Sequence, residues 1–293
     1  MIVPFVPTRT FAVVLLAREF RCALGRAEYH SRLLRLTARL AVLLIAIAVA
    51  AAATPSATAA EAPKGKLVIV GGGGTPPGLF SKMLGLGGGA EARVLVVPLA
   101  SAINDGQAAR SAFVAAGAKT VAVLGADDPA KALGAVRNAD VIWFGGGSQS
   151  ALMVALGKLG VIDAIRERYR GGAIIGGTSA GAAVMSKLMI AGSPRDGGEF
   201  PLLGEGLGLW PETVVDQHFA QRSREPRLRA VVLKHPALPG IGIDERTYVL
   251  VAGDELEVGG SGNVTVLDAR WSPEPQRFQM HPGDRWHFLT ERK

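Results

Sequence analysis

One short segment of the chain carries a serine in a setting that suits nucleophilic chemistry. Gly177-Thr178-Ser179-Ala180-Gly181 follows an apolar run and precedes a helix-like stretch, Ala182–Leu188, which is the strand–turn–helix context of a nucleophile elbow. Small neighbours let the backbone pass through a tight, strained turn that exposes the hydroxyl. The pattern predicts Ser179 as a nucleophile and the N–H of Ala180 as a donor to the developing oxyanion. The alternative is a plain turn.

A serine nucleophile needs a base, and four histidines follow residue 60: His218, His235, His281 and His287. His218 comes just after the strand-like run Thr213–Val215, and open α/β sheets place ligand groups at strand ends. The other three lie in a loop or in the C-terminal tail, where surface or packing roles are expected. His218 is therefore the predicted base.

The third member of such a triad is a carboxylate that orients the imidazole. The strand-like run Gly240–Ile243 is followed directly by Asp244 and Glu245. Alternation along a strand sends these two side chains to opposite sides, so only one of them can face His218. Periodicity leaves the choice open, and a solvated charge at a strand end is the alternative for either residue.

Two glycine-rich loops follow predicted strands. Gly71–Gly74 lacks the Lys-Ser/Thr pair of a phosphate-binding loop, so a close backbone turn near the active face is expected there. Gly145–Gly147 leaves a strand end next to the serine, and the amide of Gly147 is the predicted second oxyanion donor. A flexible strand–helix turn is the alternative for the second loop.

Four arginines follow the predicted base: Arg222, Arg224, Arg227 and Arg229. On a helix, positions 222 and 229 would share one face, and positions 224 and 227 another. A solvated basic helix is the ordinary interpretation of such a run. Guanidinium groups also bind carboxylates bidentately, and this second interpretation indicates a hydrolase for acidic, peptide-like substrates.

The elements that must position these side chains alternate between strand and helix. Short apolar runs, typical of strands buried on both faces of a parallel sheet, lie at Lys66–Val70, Arg93–Val97, Thr120–Leu124, Val141–Phe144 and Ala173–Ile175. Helical segments lie between them, at roughly Asp105–Ala116, Pro129–Asn138, Ser150–Leu156 and Val161–Tyr169. The repeats predict an α/β fold with a mostly parallel, doubly wound sheet. Short strands after Trp210 predict a β-rich C-terminal edge of the same domain.

The first 60 residues are predicted to lie outside this fold. Arginines precede the apolar run Leu40–Ala53, and Ala57-Thr58-Ala59 has the A-x-A pattern of a signal cleavage site. This run is short for a membrane-spanning helix, which needs about 20 residues. We predict an export signal over residues 1–60 and a single catalytic domain over residues 61–293, located in the periplasm or outside the cell. Stable membrane association is not expected after cleavage, although an uncleaved anchor is the alternative.

Charge and cysteine content narrow the function classes further. Residues 1–60 hold seven arginines and two acids, so they carry +5 of the formal net charge of +7, and +2 remains for the rest. A nearly neutral domain gives no support for a nucleic-acid partner. The only cysteine, Cys22, precedes the predicted domain, which excludes a cysteine nucleophile or a zinc–thiolate site there. No metal and no cofactor are predicted.

Three segments in this order resemble cyanophycinases, which are serine exopeptidases of peptidase family S51 related to aspartyl dipeptidase. They are Gly176–Ala182, then Asp216–Phe219 with Gln221, Arg222, Arg224 and Arg227, then Gly240–Glu245. The resemblance covers nearly all of residues 66–268. It implies a class I glutamine amidotransferase-like fold in which serine replaces cysteine. It also implies a Ser–His–Glu triad of Ser179, His218 and Glu245, which selects Glu245 over Asp244.

The resemblance also implies a substrate: cyanophycin, a poly-aspartate that carries arginine on each β-carboxyl and is cleaved to β-Asp-Arg dipeptides. The positions that match the family's substrate pocket are Gln149, Asp216, Gln217, Arg222, Arg224 and Arg227. In this interpretation the arginines bind substrate carboxylates, and the other three hold the guanidinium end. Ser148 and Arg246 depart from the family pattern, which often has aspartate and a smaller acidic or polar residue there.

Two further expectations and two alternatives accompany the resemblance. The partner is a peptide polymer, and a homodimer is favoured by analogy with the family. One alternative is an exported S51-like peptidase for other acidic or isoaspartyl dipeptides. The other alternative is a binding protein without catalytic activity on the same fold.

Overall fold

The apolar runs of the sequence form the strands of a mixed α/β structure. The computed structural model describes residues 63–193 and 200–289, so the predicted export segment lies outside the described residues. In chain order, the described strands are β1 (Lys66–Val70), β2 (Arg93–Val97), β3 (Thr120–Val123), β4 (Val141–Phe144), β5 (Ile174–Thr178), β6 (Leu188–Gly192), β7 (Leu202–Glu205), β8 (Val214–Gln217), β9 (Gly240–Ile243), β10 (Thr247–Ala252), β11 (Glu255–Gly260), β12 (Val264–Asp268), β13 (Gln276–Met280) and β14 (Arg285–His287). The described α-helices are α1 (Leu79–Gly87), α2 (Gln107–Ala115), α3 (Pro129–Asn138), α4 (Gln149–Lys158), α5 (Ile162–Arg170), α6 (Ala180–Ala183) and α7 (Glu225–Lys234).

The largest sheet has eight strands in the order β14-β11-β10-β1-β5-β4-β2-β3. Strands β1, β5, β4, β2 and β3 pair in parallel, while β10, β11 and β14 add to one edge in antiparallel fashion. The predicted mostly parallel sheet with a β-rich C-terminal edge is therefore confirmed. Because β1, β5 and β4 run side by side in parallel, their carboxyl ends meet at one edge of the sheet.

Helices cover both faces of this sheet, as buried parallel strands require. One face packs against α3, α4 and α5 through a large apolar core. The other face packs against α1 and α2, where Phe80, Phe113 and Trp143 form a cluster of tilted and edge-to-face rings. Among residues 63–193 and 200–289, no helix has the length and apolar character that a membrane span requires.

A second sheet of four strands, in the order β13-β12-β9-β8, carries residues of the site. Strands β8 and β9 are parallel and end at the same side, with Gln217 paired to Ile243. Helix α7 connects them and packs on β9, which brings the chain back in the same direction. The segments after both strands, which begin at His218 and Asp244, are thereby placed next to each other.

Two boundaries near the serine differ from the sequence-based prediction. Strand β5 does not end at Ile175 but runs through Gly176 and Gly177 to Thr178. These glycines suit the strand because a Cβ on Gly176 would lie 2.6 Å from the terminal methyl of Met83, so only glycine lets α1 pack this closely. The helix-like stretch predicted after the serine is only the single turn α6, and β6 begins at Leu188.

Candidate active site

Ser179 sits on a strained turn between β5 and α6. Its backbone has φ 54° and ψ −109°, outside the usual region for an L-residue, and its N–H donates to the carbonyl of Val70 at 3.1 Å. The flanking glycines make this turn possible. A Cβ on Gly177 would lie 2.4 Å from the carbonyl oxygen of Gly181, and one on Gly181 would lie 2.4 Å from that of Phe144. The G-x-S-x-G spacing is thus a packing requirement of the elbow.

His218 follows β8 directly and faces the serine. Its Nε2 lies 2.9 Å from Ser179 Oγ, and its Nδ1 lies 2.6 Å from Glu245 Oε1. Its backbone also has a positive φ of 48°, and its N–H donates to the carbonyl of Gly71 at 2.7 Å. The distances of 2.9 Å and 2.6 Å at the two ring nitrogens are those of good hydrogen bonds. The structure therefore brings Ser179, His218 and Glu245 into one hydrogen-bonded chain.

The two acids after β9 point in different directions. The carboxylate of Asp244 is buried and accepts the N–H of Ala220 at 3.0 Å and the N–H of Asn263 at 3.1 Å. Glu245 faces the imidazole, and its own N–H donates to the side-chain oxygen of Gln221 at 2.9 Å. Alternation at a strand end explains this split. Asp244 fixes the turn that follows the histidine, while Glu245 contacts the ring itself.

The Gly71–Gly74 loop packs against this hydrogen-bonded chain. A Cβ on Gly72 would lie 2.3 Å from His218 Cε1, and a Cβ on Gly73 would lie 2.4 Å from Glu245 Cβ. Both glycines also have a positive φ. Any side chain here would displace the imidazole or the carboxylate, so the loop is the close backbone turn that the sequence indicates.

Burial and charge act on the imidazole in opposite directions. Burial is the largest cause and lowers the pKa of His218 below its usual value, while the hydrogen bond to Glu245 raises it. The positive charges of Arg222 and Arg224 lower this pKa as well. The net direction is downward, which keeps the ring neutral at neutral pH and able to accept a proton from the serine hydroxyl.

Three backbone N–H groups near Ser179 are candidate oxyanion donors. Within the described residues, the N–H groups of Gly146, Gly147 and Ala180 donate to no protein acceptor. Gly146 is the closer of the two glycines, since a Cβ built on it would lie 3.5 Å from Ser179 Cβ. A Cβ on Gly147 would instead point at the carbonyl oxygen of Ala100, 2.1 Å away. Sequence reasoning missed Gly146, because a run of three glycines carries no signal that distinguishes its members.

A cavity of about 400 Å³, here named the arginine pocket, lies beside the histidine. It is lined by Ser193, Arg222, Ser223, Arg224, Pro226 and Arg227. Arg222 is exposed, and its N–H donates to the carbonyl of His218 at 3.0 Å, which links the pocket to the histidine. The predicted arginines are therefore brought together, except Arg229, which pairs with Glu274 at the surface.

Two of these arginines are anchored on a buried carboxylate. Asp216 is only 1% exposed, and it accepts from Arg227 Nε at 2.7 Å and from Arg224 at 3.4 Å. Arg224 also donates to the side-chain oxygen of Gln217 at 2.7 Å. Burial and the adjacent charge of Arg227 lower the pKa of Arg224 to about 10, which leaves it protonated at neutral pH.

The predicted guanidinium-binding residues are thus occupied within the protein. Both carboxylate oxygens of Asp216 accept hydrogen bonds from arginines, and the side-chain oxygen of Gln217 accepts one from Arg224. The side-chain nitrogen of Gln149 donates to the carbonyl of Ile190 at 2.8 Å. The structure places Asp216 behind the arginine pocket, where it orients the arginines, rather than in the pocket lining.

A larger cavity of about 600 Å³, here named the uncharged cleft, lies between α1 and α2. Its lining includes Thr178, which directly precedes the serine, and Gly145 and Gly146 of the neighbouring loop. Its other lining residues are Thr75, Pro76, Pro77, Gly78, Leu79, Phe80, Ser81, Val96, Pro98, Asn104, Gly106, Ala108, Ala109, Ala112, Ala115, Ala116 and Trp143. None of them carries a charge. Sequence reasoning missed this cleft because it did not predict α1.

Over residues 63–193 and 200–289, no group of three or more His, Cys, Asp or Glu side chains is placed to hold a metal ion. The chemistry that this arrangement supports is nucleophilic attack by a serine hydroxyl. A base and an orienting carboxylate lie in line with it, and unpaired amides lie close by.

Comparisons with known proteins agree with this chemistry. The sequence model of "Peptidase family S51" matches residues 66–259. A protein named cyanophycinase from Geminocystis herdmanii is 38% identical over 197 residues, which is 62% of this chain and 72% of that protein. Another cyanophycinase, from Trichormus variabilis, is 36% identical over 226 residues, covering 71% and 75% of the two chains. Peptidase E from Streptomyces coelicolor is 31% identical over 199 residues, covering 63% and 78%.

Solved structures support the fold. The crystal structure of a peptidase from an acI-B1 Actinobacterium matches with a TM-score of 0.62 at 23% identity, over 76% of this chain and 97% of that one. A putative Peptidase E from Listeria monocytogenes matches with a TM-score of 0.53 at 17% identity, over 68% and 99%. The predicted class I glutamine amidotransferase-like fold is confirmed. By its sequence match and its relatives, this chain belongs to peptidase family S51 and is a serine-type peptidase.

Proposed function

We propose that this protein is a serine exopeptidase that hydrolyses cyanophycin and releases β-Asp-Arg dipeptides. The observation that carries the proposal is the hydrogen-bonded chain from Ser179 through His218 to Glu245, placed beside a pocket lined by three arginines. The relatives named cyanophycinase, at 36–38% identity, support the choice of substrate.

In the proposed mechanism Ser179 Oγ attacks a main-chain carbonyl between two aspartyl residues. His218 Nε2 takes the hydroxyl proton, and the resulting imidazolium is stabilised by Glu245, which lies 2.6 Å from Nδ1. The carbonyl oxygen becomes an oxyanion that accepts from the Ala180 amide and from an amide of the Gly146–Gly147 loop. The protein supplies these donors already oriented, so little reorganisation is needed when charge develops.

Breakdown of the tetrahedral intermediate follows the same contacts. The imidazolium gives its proton to the leaving amine, the C–N bond breaks, and an acyl–serine ester remains. A water molecule then attacks this ester, with His218 again as the base and Ser179 as the leaving group. Two proton transfers through one imidazole therefore complete the cycle without a cofactor.

Recognition of the substrate is assigned to the arginine pocket. Each unit of cyanophycin presents the carboxylate of its arginyl branch, and a guanidinium fork binds a carboxylate bidentately. Arg224 and Arg227 are held by Asp216 and so are preorganised, while Arg222 is exposed at the pocket rim. Because Asp216 and Gln217 are occupied by these arginines, we do not assign them to the substrate guanidinium.

We further propose that the enzyme acts outside the cytoplasm after removal of residues 1–60. The support is the arginine-led apolar run and the A-x-A pattern in the sequence. Fractionation of cells that express the full chain, with mass spectrometry of its N-terminus, tests this. We expect a shortened protein in the exported fraction, and recovery of the uncleaved chain in the cytoplasm would contradict it.

The activity is tested with purified protein that lacks residues 1–60. It is incubated with cyanophycin and, separately, with Asp-X and β-Asp-X dipeptides, and the products are identified by mass spectrometry. We expect β-Asp-Arg from the polymer, and a loss of at least about 10⁴-fold in kcat for Ser179→Ala. If the enzyme hydrolysed only the dipeptides, they and not cyanophycin would be its substrates. Equal rates for Ser179→Ala and wild type would remove Ser179 from the mechanism.

A further inference from the structure

Backbone strain identifies one more residue of the site. Only four non-glycine residues in the described ranges have a positive φ: Ser179, His218, Ser223 and Arg246. The first two are the proposed nucleophile and base, and Ser223 lines the arginine pocket. Such conformations are unfavourable for residues with a Cβ and concentrate where function requires them. Arg246, with φ 54°, is the member of this set that has no role in the mechanism above.

The strained backbone fixes Arg246 to the glycine loop beside the base. Its N–H donates to the carbonyl of Gly72 at 2.8 Å, and its Nε donates to that of Gly73 at 3.2 Å. Gly72 is the residue that packs against the imidazole of His218. The guanidinium is therefore positioned by the same loop that positions the triad, although the side chain is exposed.

This anchoring leaves the end of the guanidinium available. In the part of the chain that the structure describes, its two terminal amino groups have no hydrogen-bond or ion-pair partner. Because Nε is held by the carbonyl of Gly73, the two terminal amino groups are preorganised to bind a carboxylate. An arginine that only covered the surface would need neither a strained backbone nor a fixed Nε.

Arg246 is linked to the uncharged cleft through the glycine loop that it contacts. Its anchor, Gly73, lies two residues before Thr75, which lines the cleft, and two neighbours of Ser179, Thr178 and Gly146, line the same cleft. The arginine pocket shares no lining residue with this cleft. A substrate that spans the serine therefore meets three arginines in one cavity and, beside the other, the single guanidinium of Arg246.

We propose that Arg246 is a specificity residue that binds the free α-carboxylate of the leaving aspartyl unit, where the uncharged cleft meets the glycine loop. The inference rests on the proposed function for the reaction itself. The cleft offers no charge to balance a carboxylate, so Arg246 provides that balance at its glycine-loop end. In an internal unit this carboxyl group forms a peptide bond and cannot make the ionic contact with Arg246. The contact therefore favours removal of a terminal unit.

Two short substrates test this. Both contain two β-Asp-Arg units, and the C-terminal aspartyl α-carboxyl is free in one and amidated in the other. Kinetics are measured for wild type, Arg246→Gln and Arg137→Gln. The last variant removes an equal charge from the exposed end of α3. We expect Arg246→Gln to raise KM for the free acid about 10-fold, with the KM for the amide and kcat changed less than two-fold.

Arg137→Gln should match wild type on both substrates, and Arg246→Lys should restore part of the preference. Equal KM values of wild type for the acid and the amide would overturn the inference, as would matching effects of Arg246→Gln and Arg137→Gln. If wild type cleaves neither substrate, the proposed function fails. Calorimetric binding of the same pair to Ser179→Ala, with and without Arg246→Gln, then decides the role of Arg246.

Discussion

The arginine pocket and the uncharged cleft lie beside the same serine but are built from opposite chemistry. The pocket is formed by three guanidinium groups, two of which are held from behind by the buried carboxylate of Asp216. The cleft is formed by alanines, prolines and glycines over the ring of Trp143, without a charged side chain. A substrate that occupies both meets three guanidinium groups in the pocket and, apart from Arg246 at its glycine-loop end, uncharged walls in the cleft.

The difference also shows how each cavity keeps its shape. Like charges repel, so Arg224 and Arg227 can stay close together only because Asp216 pairs with both. The cleft needs no such counter-ion, because close packing of α1 and α2 on the sheet defines its walls. One cavity is organised by electrostatics and the other by steric fit, and substitutions should separate them on that basis.

The largest expected effect comes from removing the carboxylate behind the arginine pocket. Asp216→Ala leaves two partly buried guanidinium groups without their acid, which should lower the free energy of unfolding by about 3–5 kcal/mol. The KM for an acidic substrate should rise as well, because Arg224 and Arg227 lose their orientation. Urea denaturation and steady-state kinetics measure the two effects.

Asp268→Ala is the matched control for that variant. Asp268 is also buried, at 3% exposure, and pairs with Arg270 away from the pocket. The Asp268→Ala variant should lose a comparable amount of stability without a change in KM for the folded enzyme. If the KM of Asp216→Ala remained at the wild-type value, the arginines would not depend on Asp216 for their arrangement.

A smaller effect is expected from Arg227→Gln, which removes one fork from the pocket but keeps Asp216 paired with Arg224. Loss of a charge-assisted contact should reduce kcat/KM for β-Asp-Arg substrates about 10–100-fold. Substrates whose arginyl carboxylate is converted to an amide should be affected little, since they cannot form that contact. Equal losses on both substrates would mean that Arg227 acts on structure and not on the carboxylate.

Sequence reasoning predicted the grouping of Ser179, His218 and Glu245 better than it predicted the surrounding pocket. The elbow around Ser179 is local, because small residues at fixed spacing are enough to specify it. His218 followed from its position at the end of a strand. The choice between Asp244 and Glu245 depends on which side of β9 faces the histidine, and that is set by a neighbouring strand, β8, far away in sequence.

The features that the sequence did not reveal depend on contacts over long distances. Asp216 was expected to bind substrate, and its pairing with Arg227 appears only once α7 places the arginine over β8. The uncharged cleft requires α1, whose glycines at 85 and 87 obscure the helical pattern. A Cβ on Gly87 would lie 2.5 Å from Val141 Cγ2, so this glycine is there for packing on the sheet.

Filling the uncharged cleft should produce a moderate effect of a different kind. Ala112→Phe places a ring among the lining residues of α2, so KM for the two-unit substrate should rise about 10-fold by steric exclusion. The ratio of rates for the acid and amide forms of the arginyl branch should stay as in wild type, because the arginine pocket is untouched. Labelling of Ser179 by a small fluorophosphonate checks that the triad remains intact.

Ser111→Phe is the control on the same helix. Ser111 is exposed and does not line the cleft, so its substitution should leave KM unchanged. If Ala112→Phe and Ser111→Phe gave the same kinetics, the cleft would not hold the substrate. A change in the acid-to-amide ratio for Ala112→Phe would show that the two cavities are not independent.

The smallest effect should come from the exposed arginine of the pocket, through its influence on the pH profile. The reaction needs neutral His218, so kcat/KM falls as pH drops through the pKa of this imidazole in the free enzyme. The positive charge of Arg222 lowers that pKa, and Arg222→Gln removes this influence. The pKa then rises, and the acid limb of the profile moves to higher pH, with less activity below neutrality.

Salt and a neutral substitution in the other cavity test the electrostatic origin of this shift. Because Arg222 is exposed, its influence on His218 should shrink at about 1 M salt, where charges are screened within about 3 Å. Ala112→Phe changes the uncharged cleft without changing charge, so it should leave the acid limb in place. No shift for Arg222→Gln, or an equal shift for Ala112→Phe, would show that the charge of Arg222 does not influence the pKa of His218.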